Sequence, residues 1–153
     1  MKIIVLSDSH KDFNSIMRIF DREKDINYII HAGDVHRDVE DIMCLKPHIP
    51  CAYVIGNNDL IFGEPLNREF TLGGKKFFLT HGHLFGVKNS MSPLKKKAKD
   101  VGADICIFGH THIKYLQEDG GIWYLNPGST RKSYGVIEIS EGEVNISIRE
   151  NVD

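Results

Sequence analysis

The spacing of apolar and polar positions changes along this chain, and the change divides it into two halves. Residues 1–6 (MKIIVL) form an apolar, β-branched run that stops at Ser7-Asp8-Ser9, the pattern of a buried strand. Residues 27–31 (NYIIH) and 51–55 (CAYVI) read the same way. Between the first two, Phe13, Ile16, Met17 and Phe20 recur at helical spacing behind a capping Asp12 or Asn14. A second helix is predicted over residues 36–46, with Val39, Ile42, Met43 and Leu45 inward and Pro47 and Pro50 closing it. Strand, helix, strand, helix, strand at these intervals predicts parallel pairing with right-handed crossovers.

The second half is built from hairpins. Residues 68–72 and 75–80 flank Gly73-Gly74, a strong turn signal. A helix follows over residues 90–101, where Lys95-Lys96-Lys97 reads as a solvated face. Residues 104–108 (DICIF) form a buried strand. Residues 114–117 and 122–125 then flank Asp119-Gly120-Gly121, and residues 134–140 and 143–149 pair across Glu141-Gly142. Parallel strands first and hairpins later predict an α/β fold: a four-layer αββα sandwich of two mixed β-sheets with helices outside. No repeat or linker interrupts residues 1–153, so one domain is expected.

Composition narrows the classes. A hydrophobic content of 41% over 153 residues suits a sizeable core, and a net charge of -2 supplies no basic field for nucleic acid and no polybasic membrane anchor. The apolar runs are strand-length, far short of the ~20 residues of a membrane span. The chain opens directly on a strand, without the length or cleavage site of a signal peptide. Cys44, Cys51 and Cys106 are odd in number and lack CxxC spacing, as reduced core thiols would. The expectation is a cytoplasmic protein with no membrane and no polymeric nucleic-acid partner.

The histidines carry the chemistry. Asp8 and His10 lie at or just past the end of the first strand, and residues two apart point the same way on an extended chain. Open α/β sheets bind ligands in the crevice there. A lone Asp-x-His would be a helix cap. Here Asp34, Asn57, His81, His110 and His112 each follow a predicted strand in the same manner, with Gly33, Gly56, Gly82 and Gly109 beside them. Such mixed nitrogen and oxygen donors suit manganese, iron or zinc rather than calcium. Two close divalent ions need a bridging carboxylate, and Asp34 is the expected bridge. Asp8, His10 and one distal histidine would complete one ion's shell, and Asn57, His81 and another histidine the other's.

Asp8-Ser-His10, Gly33-Asp34, Gly56-Asn57-Asn58-Asp59, His81-Gly-His83 and Gly109-His110-Thr-His112 together resemble the calcineurin-like metallophosphoesterase superfamily. The likeness is greatest to the small single-domain phosphodiesterases of bacteria and archaea, of which Asn126-Pro127-Gly128-Ser129 is also typical. The resemblance implies two divalent metal ions per chain: manganese first, with iron, zinc or nickel as alternatives. It places Asp8, His10, Asp34 and His112 on one ion, and Asp34, Asn57, His81 and His110 on the other. The implied reaction is hydrolysis of small phosphodiesters by in-line attack of a metal-bridging hydroxide.

One position departs from the family pattern. Many members carry Gly-Asn-His-Asp where this chain has Asn58. An amide can donate a hydrogen bond to a phosphoryl oxygen but cannot protonate a leaving group. That predicts a preference for aryl over alkyl diesters. Asn58, Asp59 and His83 are the catalytic candidates, with Asp59 orienting a ligand and His83 contacting phosphate; His36 and Arg131 are outer candidates. The alternative is a protein-interaction scaffold, as in the retromer subunit that resembles these enzymes, but all seven ligand positions are filled here. A nuclease on polymeric DNA lacks its basic surface. A homo-oligomer is compatible with the sequence.

Overall fold

Alternation within the first strand sets the layers. In β1 (Lys2–Leu6), Ile3 and Val5 face a second sheet, while Ile4 and Leu6 face helices; all four are buried. The computed structural model describes residues 1–59 and 63–152. Within them lie β1, α1 (Phe13–Arg22), β2 (Tyr28–His31), α2 (His36–Leu45), β3 (Cys51–Tyr53), β4 (Asn67–Leu72), β5 (Lys75–Thr80), α3 (Ser92–Asp100), β6 (Ile105–Ile107), β7 (Tyr115–Asp119), β8 (Ile122–Asn126), β9 (Ser133–Ser140) and β10 (Glu143–Glu150).

Two mixed five-stranded sheets result, ordered β10-β9-β1-β2-β3 and β4-β5-β6-β8-β7. In the first, β1, β2 and β3 are parallel, with Ile4 opposite Ile29 and Ile30 opposite Ala52; β9 closes antiparallel on β1. In the second, β5, β6 and β8 are parallel, while β4 and β7 pair antiparallel at the edges. Ile3, Val5, Ile30 and Val54 meet Phe77, Leu79, Ile105, Ile107 and Leu125 between the sheets. Ile16, Ile19, Phe20 and Ile42 of α1 and α2 cover the outer face of the first sheet, and Leu94 and Ala98 of α3 cover Phe78, Cys106 and Tyr124. Each such aliphatic side chain contributes about 1.5–3 kcal/mol by leaving water. This is the four-layer αββα sandwich.

Several local expectations give way to packing. Met43 and Leu45 are 45% and 43% exposed, because the buried stripe of α2 runs through His36, Asp38, Val39 and Ile42 instead. Phe13 is also exposed at the start of α1, and Ile19 takes the inward place. Cys44 is an exposed free thiol rather than a core residue; Cys51 and Cys106 are free and shielded, and burial raises both thiols above their ordinary range. β3 ends at Tyr53 rather than Ile55, since the Ile55 amide turns to donate to the Pro65 carbonyl. Asp12, not Asn14, caps α1, accepting from the Ser15 amide at 3.2 Å. Lys95 is tied down, donating to Asp119 at 2.9 Å with its ammonium over the Tyr124 ring.

Candidate metal centre

Parallel strands deliver their C-terminal loops to one side of a sheet. The loops after β1, β2, β3, β5 and β6 meet there and bring all seven candidate ligands together. Asp8 Oδ1 lies 3.2 Å from His112 Nε2, 3.8 Å from His81 Nε2 and 3.9 Å from His10 Nε2. His10 and His112 approach each other to 3.2 Å between their Nε2 atoms. Asp34 Oδ2 lies 3.5 Å from His81 Nε2, and Asn57 Oδ1 lies 3.0 Å from that same nitrogen. The same Asn57 oxygen stands 3.1 Å from His110 Nδ1. Two sets of donors fall within 4.8 Å of one another: Asp8, His10 and His112, and Asp8, Asp34 and His81. Asp8 is common to both, whereas the expected bridge, Asp34, joins the second set.

The backbone is bent to achieve this. Asp8, His10, Asp34, His110 and His112 all have left-handed φ angles, between 43° and 71°. Each such non-glycine residue costs of order 1–3 kcal/mol and persists only where its surroundings enforce it. Glycines make the convergence possible by close approach. A Cβ on Gly56 would stand 1.8 Å from Asp34 Oδ1, and one on Gly109 would stand 2.0 Å from Ser7 Oγ.

A layer of hydrogen bonds holds the carboxylates. Ser7 Oγ donates to Asp8 Oδ2 at 2.6 Å, and the His110 amide donates to the same oxygen at 3.1 Å. Asn58 donates twice to Asp34, from its amide to Oδ1 at 3.1 Å and from Nδ2 to Oδ2 at 2.7 Å. Burial disfavours the Asp34 carboxylate, but His81 and these Asn58 donors outweigh it and hold its pKa well below the usual range. For His81, burial opposes the protonated ring; Asp34 and Asp8 overcome this and raise its pKa. His83 and His110 are pushed down by burial and by neighbouring His81, so both are neutral at pH 7; Lys88 adds to the effect on His110.

Below the ligands runs a fully buried polar chain. The Gly33 amide donates to His31 Nδ1 at 3.1 Å, which leaves Nε2 to donate to Ser9 Oγ at 3.0 Å. Ser9 Oγ in turn donates to Asp38 Oδ2 at 2.6 Å, where the Lys11 amide also donates. Burial drives the His31 pKa down to about 4. The loop after β8 acts as a clamp: Asn126 Nδ2 donates to the Gly109 carbonyl and to Thr111 Oγ1, and Ser129 Oγ donates to the Asp8 carbonyl. Sequence reasoning missed His31, Ser9 and Asp38 as a unit, because a strand histidine beside an apolar run carries no signal until its partners are known.

The outer candidates separate. Asp59 spends both oxygens on backbone amides, Oδ1 on His36 at the start of α2 and Oδ2 on Gly56 of its own turn. His36 packs at a tilt against the Tyr53 ring and faces Glu40 at 3.3 Å. His83 stands beside His81 and His110, with ring centroids 5.5 and 6.1 Å away and its Nδ1 buried without a hydrogen-bond partner. Arg131 is exposed and donates to Asp12 at 2.9 Å; with Ser129 and Lys132 it lines a groove of about 360 Å³ that Asp8, Ser9, His10 and His112 complete.

These donors fit divalent metal. Asp8 Oδ1 is buried and accepts no hydrogen bond, although three imidazole nitrogens surround it. An orphaned buried carboxylate oxygen costs about 1–3 kcal/mol or more, and a shared cation removes that cost. Imidazole and carboxylate are donors for zinc, manganese or iron.

A sequence profile of the calcineurin-like phosphoesterase superfamily domain matches residues 1–142. The chain belongs to this family of metallophosphoesterases. It is 30% identical over 132 residues to the probable metallophosphoesterase YsnB of Bacillus subtilis, covering 86% of this chain and 76% of that one. The structure of a predicted phosphoesterase from Streptococcus pneumoniae superposes with a TM-score of 0.81 at 30% identity, over 98% of this chain and 89% of the other. A zinc complex of Vps29 from Entamoeba histolytica shares the fold, with a TM-score of 0.76 at 22% identity over 99% of this chain and 100% of that one. No helix among the described residues is long and apolar enough to cross a membrane.

Proposed function

We propose that the chain is a dinuclear-metal-dependent phosphodiesterase acting on small phosphodiesters, with manganese as the preferred ion. The observation that carries this reading is Asp8 Oδ1, buried, unpartnered and faced by three imidazoles. When bound, two divalent cations neutralise the phosphodiester's charge and lower the pKa of the attacking water. Asp8, His10, Asp34 and His112 would hold one ion, and Asp34, Asn57, His81 and His110 the other.

The remaining chemistry belongs to the chain's own groups. Asn58 fixes Asp34 through two hydrogen bonds and is in no position to protonate a departing oxygen. His83 stands beside His81 and His110 with its pKa lowered by burial, so its ring can contact the phosphoryl group or pass a proton. Asp59 acts one step back, fixing the turn that presents Asn57 and Asn58. Arg131 and Lys132 place positive charge beside the bound anion. Without an imidazole at position 58, diesters with good leaving groups are hydrolysed best.

Metal content and hydrolysis test this together. Protein stripped by chelation and reloaded with manganese should hold two ions per chain and hydrolyse bis(4-nitrophenyl) phosphate faster than 4-nitrophenyl phosphate. Stoichiometric metal binding with neither ester hydrolysed would replace the enzyme with a metal-bearing scaffold.

A further inference from the structure

The two sides of the ligand loop at residues 110–113 differ in character. Toward Arg131 and Lys132 the surface is polar and cationic. On the other side lies a groove of about 510 Å³ lined by Val87, Lys88 and Met91 and by Phe108, Thr111, Ile113 and Tyr115. That volume is in the range of small-molecule sites, which are mostly apolar with a few placed polar groups.

Its walls are continuous with the metal centre. Thr111 lies between His110 and His112, and Phe108 precedes the Gly109 that passes over Ser7 and Asp8. Val87 packs against Gly82, next to His81. Lys88 stands next to Val87 on the same wall of the groove. Phe108 and Tyr115 meet edge to face, with centroids 5.8 Å apart, and supply an aromatic wall. Thr111 Oγ1 is already engaged by Asn126 and by the Ile113 amide. Ile113, directly after a candidate ligand, is 70% exposed.

We propose that this groove seats one planar aromatic arm of the phosphodiester, with Ile113 closing over the ring and the Lys88 ammonium matching the diester's negative charge. The substrate class is then an asymmetric diester, with an aromatic group on one side and a polar or anionic group toward Arg131 and Lys132 on the other. The inference rests on the phosphodiesterase reading for its substrate, though not for its binding measurement.

Two substrates that break the same bond isolate the arm: bis(4-nitrophenyl) phosphate and methyl 4-nitrophenyl phosphate. Filling or vacating an apolar pocket changes discrimination by roughly 10–200-fold. The ratio of kcat/KM values, aryl over methyl, should therefore fall about tenfold in Ile113→Ser, whereas Lys88→Glu should lower kcat/KM for both singly charged esters alike; both positions are exposed, so the fold is not at stake. If the wild type hydrolyses both esters and Ile113→Ser leaves the ratio unmoved, the groove has no such role and the activity still stands. If neither ester is hydrolysed, the activity falls and binding decides the groove. Phenyl phosphate added to zinc-loaded protein should shift the methyl resonances of Met91 and Ile113, and inorganic phosphate should not. Equal responses to the two probes, or none, overturn the proposal.

Discussion

Replacing Gly109 by alanine tests how tightly the centre is packed. The new Cβ would stand 2.0 Å from Ser7 Oγ, 2.9 Å from Asp8 Oδ2 and 3.1 Å from Ser7 Cβ. The first contact cannot be accommodated, so Ser7 must leave Asp8 or the β6 loop must lift. Overpacking costs about 1–3 kcal/mol, and a lost hydrogen bond to a buried carboxylate about 1.5–3 kcal/mol. Gly109→Ala should therefore lower the unfolding free energy by about 3 kcal/mol, and Ser7→Ala alone by about 2 kcal/mol. In the double variant the worst overlap disappears and the Ser7 bond is lost only once. Its destabilisation should fall short of the sum of the singles by about 1 kcal/mol or more. Urea unfolding of chelated protein measures this, since slopes of roughly 1–3 kcal/mol/M turn these values into midpoint shifts near 1–2 M. Additivity within about 0.5 kcal/mol would refute the close approach, as would a wild-type midpoint for Gly109→Ala.

Asp34→Ala should leave the fold intact but abolish hydrolysis and bind fewer than one manganese per chain; full occupancy at micromolar metal would overturn the proposed bridging role of Asp34. Metal affinity should weaken as pH falls from 8 to 6, because Asp34 and Asp8 raise the His81 pKa above the ordinary 6.5 and its proton competes directly with the ion; equal affinities by calorimetry at both pH values would contradict this. His31 works in the opposite sense. With a folded pKa near 4 against 6.5 unfolded, it is protonated first in the unfolded chain. Its neutral burial therefore supports the chelated fold above pH 6.5, and about 3 kcal/mol of that is withdrawn between pH 6.5 and 4. His31→Gln should flatten the stability profile across that window, and an unchanged slope would show that His31 does not titrate there.

Much of this molecule was readable from pattern, and the exceptions have physical causes. The β1 alternation, the Gly73-Gly74 hairpin and the two-sheet architecture follow from periodicity, because burial on one face or both imposes it. Met43 and Leu45 misled because apolar residues near a helix end need not find a core. At the centre, residue types at strand ends marked all seven candidate ligands. Sequence spacing could not show that Asp8 also reaches donors on both sides, His10 and His112 on one and His81 with Asp34 on the other, since that depends on the meeting of two sheets. Asp59 was marked by its neighbours, yet its oxygens serve backbone amides. The His31–Ser9–Asp38 chain joins a strand, a loop and a helix, and no local pattern links them.

The arrangement around Asp8 weighs against a use of the fold without metal. A surface for protein contact needs neither a fully buried carboxylate in left-handed backbone nor four further left-handed ligand candidates beside it. In the absence of a cation, Asp8 Oδ1 is desolvated without a hydrogen bond, and His10 and His112 compete for it at close range. Both features lower stability, by amounts of order 1–3 kcal/mol each. The surrounding chain does not relax them; it enforces them through Ser7, the His110 amide, the Asn126 clamp and the glycine at 109. Divalent cations would turn the same geometry from a burden into a ligand cage, since Asp8 and the imidazoles around it are the residues that would hold them. Asn58 fits that economy: by spending both its donors on Asp34 it strengthens a ligand and gives up the acid's place. A site so built favours departing groups that need no proton, while the aromatic groove beside His110 is the proposed seat of the arm that stays on phosphorus.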